Sequence, residues 1–283
     1  MKRSYGYRPA LFFALAYLAT WIPWALAIHA GSRKEFEPYA VIFYFLGVAA
    51  PCAAAVLMVL TSGSTALKRD FKDRLINLRR IRPGYLLAAI LLSFAVMVLS
   101  ILLSLSLGQS ADQLRLSGGA NLLPMIVIAM VLAPIFEELG WHGYGVDSLR
   151  AMTGMTTATL LFAALWCTWH APLVFIGGTY QHQLATMDKT IFLVNFFVSI
   201  VVAAIIANWF YYKNDRSIVA AVLLHSALNA AAVLLNAGPV AKCIATLLYA
   251  GIAVGLMAFD RALFASGPRN FLQDAASAGA KRT

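Results

Sequence analysis

Charge is what this sequence has least of. Only 12% of its 283 residues are Asp, Glu, Lys or Arg, about half the roughly 25% usual in soluble proteins. No stretch is polar enough to fold as a separate soluble domain, so the chain reads as one integral membrane domain over 1–283. Cysteine is almost missing. Cys52, Cys167 and Cys243 are odd in number, unclustered and each inside an apolar run. That argues against a disulfide framework and a thiolate metal site, and leaves small buried hydrophobes. No internal repeat is visible, which counts against a transporter built on inverted halves. Acidic residues are the scarcest charges, 12 against 22 Lys and Arg, for a net charge of +10. In a membrane chain this excess reflects basic loops beside anionic lipids, and no nucleic-acid partner is expected.

What the sequence does have is apolar runs near the length of a bilayer span. They fall at about 10–29, 39–61, 84–107, 121–140, 156–176, 190–211, 218–236 and 240–259. The expected fold is therefore all-α, a polytopic membrane helix bundle of about eight spans. Trp21, Pro23 and Trp24 in the first run favour a retained helix over a cleaved signal peptide. An even number of spans puts both termini on one side. That side, with the loops 62–83, 141–155 and 212–217, holds 17 Lys and Arg, against five on the other. The positive-inside rule then places both termini in the cytoplasm of, on this reading, a bacterial inner membrane. The tail, 260–283, reads as disordered. Lys68 to Arg82, with seven basic residues and two Asp, reads as a solvated topogenic loop. Leu67, Phe71, Leu75 and Leu78 at helical spacing allow a surface amphipathic helix instead.

Against this apolar background Glu137 and Glu138 stand out at the end of the run from Leu122 to Phe136. A carboxylate in such surroundings must neutralise, pair or bind a cation, and is a functional-site candidate by default. The bland alternative is the wet end of a helix. His225 and Asn229, four residues apart, share one helix face. His170 precedes Pro172, which frees the carbonyl one turn earlier and makes room for polar partners. Trp166 and Trp169 beside it read as packing. The adjacent glutamates point about 100° apart, so they cannot do one job. One can face the two histidines and the asparagine, while His142, four after Glu138, is placed to pair with the other.

Depth links these groups. A fourth helix that runs on to about Leu149 puts Glu137 ~18 Å in from the basic side, beside His170 at ~21 Å and His225 at ~12 Å. Such a helix must pass Gly140, Gly143 and Gly145, a light face that lets other helices approach. One carboxylate, two imidazoles and an amide suit water activation and hydrolysis. The carboxylate is the base, and the imidazoles either hold a divalent metal or serve an oxyanion.

Three motifs on separate spans resemble those of the CAAX prenyl protease and bacteriocin-processing (Abi) family of intramembrane proteases. Those are Glu-Glu-x-x-x-Arg, Phe-x-x-x-His and His-x-x-x-Asn or Asp. They are matched here by Glu137-Glu138-Leu139-Gly140-Trp141-His142, by Trp166 to His170, and by His225 to Asn229, within a core of about 120–236. The resemblance implies an intramembrane endopeptidase with Glu137, Glu138, His170, His225 and Asn229 as its catalytic set. Glu137 then activates water, and Glu138 pairs with His142. If a metal is used, the implied ligands are His170 and His225 and the implied metal is zinc. The implied partner is a membrane-associated peptide or protein. There are two departures. Trp166 in place of Phe is a mild aromatic change. His142 in place of Arg exchanges a permanent, forked charge for a ring largely neutral at pH 7. That exchange favours the alternative, a non-catalytic adaptor or self-immunity protein on the same fold.

Overall fold

A computed structural model describes residues 6–116 and 127–272. It is an all-α membrane bundle. Among the described residues six helices are long and apolar enough to span: α1 (Pro9–Gly31), α2 (Glu37–Thr61), α4 (Pro83–Leu105), α7 (Met155–Trp169, extended by a 3-10 turn to Phe175), α9 (Ile191–Lys213) and α11 (Pro239–Phe259). A seventh, α10 (Ile218–Leu234), is shorter at 17 residues. The fourth expected span begins outside the described residues. From Ile128 it is helical through α5 (Ala133–Gly140) and a π-turn to α6 (Val146–Arg150). It therefore passes the glutamates without stopping. Between the spans lie α3 (Thr65–Ile76) and α8 (Tyr180–Ala185), and α12 (Arg261–Phe264) follows the last.

Helices α1 and α2 pack side by side, and α2 packs on α5. On the far side α4 packs on α10 and α11, while α9 lies between α7 and α11. Helix α10 touches α4, α5 and α9, and so occupies the middle. Aliphatic side chains such as Leu18, Leu91, Leu247 and Val254 remain exposed on the outside, as a bilayer requires. The three cysteines are half-buried free thiols.

The glycines of the α5–α6 stretch work as close-approach points. A Cβ on Gly140 would come within 2.5 Å of the Pro51 backbone on α2. One on Gly143 would meet the Phe71 ring of α3 at 2.9 Å, and one on Gly145 the Phe12 ring of α1 at 2.8 Å. Pro51 is backbone-bound and cannot step aside. Gly140→Ala is therefore expected to lower stability by about 1–3 kcal/mol. Gly177→Ala, where the space is open, is expected to leave it unchanged; thermal unfolding in detergent compares the two.

The basic stretch is not a solvated loop. It folds as α3, its N-terminus capped by Ser64, whose Oγ accepts from the Leu67 N–H at 3.2 Å. Leu67 and Arg74 are fully buried and Phe71 nearly so. Arg74 closes the π-turn Trp141–Gly145, in which the helical ladder slips and strands carbonyls. Its Nη1 donates to His142 O at 2.9 Å and its Nη2 to Gly143 O at 2.8 Å. Arg74 Nε also donates to Asp70 at 2.7 Å. Arg216 forks onto both Asp70 oxygens at 3.0 Å and onto Asp147 at 2.5 Å. Arg216 and Asp215 hold positive φ, 62° and 48°, in the turn between α9 and α10. That strained backbone aims Arg216 back into the bundle.

Burial raises the Asp70 carboxyl pKa, but the Arg74 and Arg216 guanidiniums outweigh it and hold the group below its ordinary value. A carboxylate lowered in this way stabilises fully above the ordinary value of about 3.9, and stops doing so as pH falls through the lowered one. Amide exchange in α3 is therefore expected to stay slow at about pH 5 and to quicken only in stronger acid.

The start of the tail is also ordered, contrary to the disorder read from its polarity. Thr156 Oγ1 donates to Phe264 O at 2.8 Å, and Arg269 N donates to Arg150 O at 2.9 Å. Phe271 stacks on Tyr212 at 5.7 Å, and Leu272 is buried. Residues 273–283, the rest of that tail, lie outside the described residues.

Candidate active site

The two glutamates leave α5 on different faces, as their spacing requires. Both are buried, Glu137 at 6% exposure and Glu138 at 1%. Glu138 is held at both oxygens. His142 Nδ1, one turn on, donates to Oε2, and His225 Nδ1 from α10 donates to Oε1 at 2.8 Å. The pairing of Glu138 with His142 is as the sequence implies. The pairing with His225 is not, because that histidine was expected to face Glu137. A carboxylate on Nδ1 fixes the tautomer and orientation of each ring.

Glu137 is met by indoles instead. Trp166 Nε1 donates to its Oε2 at 2.8 Å, and Trp141 Nε1 to the same oxygen at 3.4 Å. Its Oε1 carries no hydrogen bond among the described residues. Trp166 is thus more than an aromatic stand-in for Phe, which has no donor to offer, and more than packing. Trp169 does pack, against Trp24 and Trp141, with its Nε1 donating to Thr20 Oγ1 at 2.9 Å.

His170 caps α7, where Pro172 stops the helix. Its Nδ1 donates to Trp166 O at 2.7 Å. The Trp166 ring lies 6.0 Å from the His170 ring and 5.6 Å from the His225 ring. Glu137, His170 and His225 are therefore gathered round one indole. Asn229 stands one turn beyond His225 on α10, half-buried.

His142 is wholly enclosed by Phe162 and Tyr211, with ring centroids 5.7 and 4.7 Å away. Its Nε2 lies 3.1 Å from Asn208 Oδ1, and Asn208 Nδ2 donates to Thr159 Oγ1 at 3.1 Å. Turning the Asn208 amide over would present a donor in place of an acceptor. Asn208 is a polar residue inside an apolar span, but nothing in the sequence names its partner. Thr159, Trp141 and Tyr211 carried no signal beyond composition.

The donors can be tested against zinc. Among the described residues no three His, Cys, Asp or Glu side chains gather as a metal cage. Both Glu138 oxygens and the Nδ1 atoms of His170 and His225 are engaged within the protein. The two Nε2 atoms and Glu137 Oε1 remain, three donors of the kind a catalytic zinc takes, but among the described residues they are not gathered into a cage.

Residues 119–231 match the family described as type II CAAX prenyl endopeptidase, Rce1-like. Beyond that core, the chain is 33% identical over 269 residues to the CAAX prenyl protease 2 of Methanococcus maripaludis. The alignment covers 93% of this chain and 98% of that protein. It therefore extends well beyond the stretch that carries the motifs. With the glutamate pair, both histidines and the asparagine in their motif positions, the chain belongs to the Rce1-like family of type II CAAX prenyl endopeptidases.

Proposed function

We propose that this protein is an intramembrane endopeptidase that hydrolyses a peptide bond of a membrane-associated peptide or protein by water activated at Glu137. The observation that carries the reading is the division of labour between the glutamates. Glu138 has both oxygens committed to imidazoles, whereas Glu137 keeps Oε1 open among the described residues. A water at Glu137 Oε1 gives up its proton there as the hydroxyl adds to the carbonyl carbon. The oxyanion so formed takes a hydrogen bond from His225 Nε2–H, the ring's charge being faced by Glu138, or from the Asn229 amide. When the C–N bond breaks, Glu137 returns the proton to the leaving amine. His170, fixed at Nδ1 by a carbonyl, orients the water or the carbonyl. No step calls for a metal, so activity is expected to survive a chelator. The adaptor reading drew on His142, yet its pair with Glu138 is intact. We place both termini in the cytoplasm on the charge asymmetry of the loops.

The test is cleavage of membrane-anchored peptides by the protein in lipid nanodiscs, with and without chelator. Failure to cut any peptide of a diverse library would sink the reading, and loss of activity with chelator restored by zinc would sink its metal-free form. Trp166→Phe restores the family's residue but removes the nearer donor to Glu137. It is expected to cut kcat roughly tenfold with KM unchanged, since a hydrogen bond to a charged group is worth about 1.5–3 kcal/mol.

A further inference from the structure

At the basic end of the bundle, away from the glutamates, lies a cavity of about 520 Å³. Arg80, Arg150, Arg216 and Arg269 line it, with Asp215 the one acidic residue among the described residues. Arg216 and Arg80 each hold a carboxylate. Arg216 is forked onto Asp70 and Asp147, and Arg80 onto Asp73 at 2.5 Å. Arg150 is different. It is buried at 2% exposure, and among the described residues no carboxylate lies within ion-pair distance of it. Its guanidinium donates only to neutral oxygens: Thr153 O at 3.1 Å, Gly267 O, and Ser266 Oγ at 2.6 Å. A buried cation without a counter-charge is costly. Phe271 floors the cavity, with the Arg216 guanidinium 4.1 Å and the Arg269 guanidinium 5.0 Å from its ring centroid. An ordered tail segment thus closes over a concentrated positive charge on the side where the loop bias places anionic lipid.

We propose that this cavity is a phosphate site, occupied by the headgroup of an anionic phospholipid of the adjacent leaflet. Asp147 acts on Arg150 only from beyond ion-pair distance, so the phosphate supplies the direct counter-charge that Arg150 lacks among the described residues, and Arg269, exposed at the rim, reaches it from the outside. The size suits a headgroup, the arginines suit bidentate contact with phosphate oxygens, and the bilayer is the nearest source. The proposal is independent of the peptidase reading.

The test uses the full chain in nanodiscs of phosphatidylcholine alone or mixed with phosphatidylglycerol, and native mass spectrometry of the lipid retained on release. Wild type is expected to retain phosphatidylglycerol over phosphatidylcholine. Arg269→Gln and Arg80→Gln are each expected to lower that retention about fivefold, from about 1 kcal/mol per basic residue at a membrane surface. Lys189→Gln, at the other end of α9 and equally exposed, is the charge-matched control and is expected to change nothing. A second arm titrates inorganic phosphate against thermal unfolding in phosphatidylcholine alone. Stabilisation of wild type but not of Arg269→Gln, without lipid preference, would uphold the phosphate site and assign it to free phosphate. Equal retention of the two lipids with no effect of phosphate overturns the proposal. So does a loss in Lys189→Gln equal to that in Arg269→Gln, or binding of an acidic peptide where phosphate fails.

Discussion

Glu137→Gln is expected to slow peptide hydrolysis by about 10²–10⁴-fold, the usual contribution of a general base, while the protein unfolds at nearly the same temperature. The structure explains why the two effects separate. Glutamine is nearly the same shape, and its amide oxygen can still accept from Trp166 and Trp141. What is lost is the proton affinity of the second oxygen, the one with no partner among the described residues. Glu138→Gln is a different experiment. Both of its oxygens accept from imidazoles, and an amide has only one acceptor to give. One histidine would face an N–H group inside the bundle, so stability and activity should fall together. The measurement is initial rate on a membrane-anchored peptide beside a thermal melt for each variant. Equal rates for wild type and Glu137→Gln would remove Glu137 from the chemistry.

Arg74→Met is expected to cost about 3–5 kcal/mol of stability, the typical loss when one member of a buried charge set is removed. The side chain is fully enclosed, with Asp70 at 2.7 Å and Asp147 at 3.3 Å. Methionine fills much of the volume but leaves the carbonyls of His142 and Gly143 without their donor. Tyr211 Oη, 3.0 Å from His142 O and from Asp147 Oδ2, can compensate only in part. The π-turn lies directly after Glu137 and Glu138, so its loss should also disorder the glutamates. Thermal unfolding and peptide cleavage are expected to fall together, the reverse of Glu137→Gln. Arg74→Lys should recover little, because an ammonium cannot serve two carbonyls and a carboxylate in the fixed directions of a guanidinium.

The sequence carried the bundle because lipid leaves few options: a run of about 20 apolar residues has to be a helix. It carried the convergence of His170 and His225 on the glutamates because rise per residue converts position into depth. The Glu138–His142 pair was legible for the same reason, being one turn of helix. Which glutamate meets His225 was not legible. That depends on how α5 is rotated toward α10, and the π-turns at Ile128–Leu132 and Trp141–Gly145 shift that rotation without a sequence mark. The role of Trp166 was missed because an indole reads as apolar bulk until a carboxylate is placed beside its N–H. Helix α3 was read as solvated because its charges were counted without partners. Asp147 and Arg216, which neutralise it, stand 73 and 142 residues beyond Arg74 in the chain.

The most direct test of the account is a single turnover in water enriched in ¹⁸O. If Glu137 activates water, the first product molecule carries ¹⁸O in its new carboxylate, and Glu137 itself stays unlabelled. If the glutamate instead attacks the peptide carbonyl and expels the amine, water that opens the resulting anhydride at the glutamyl carbonyl leaves ¹⁶O in the first product and puts the label in the Glu137 side chain, and label found there would contradict the assignment of Glu137 as a base.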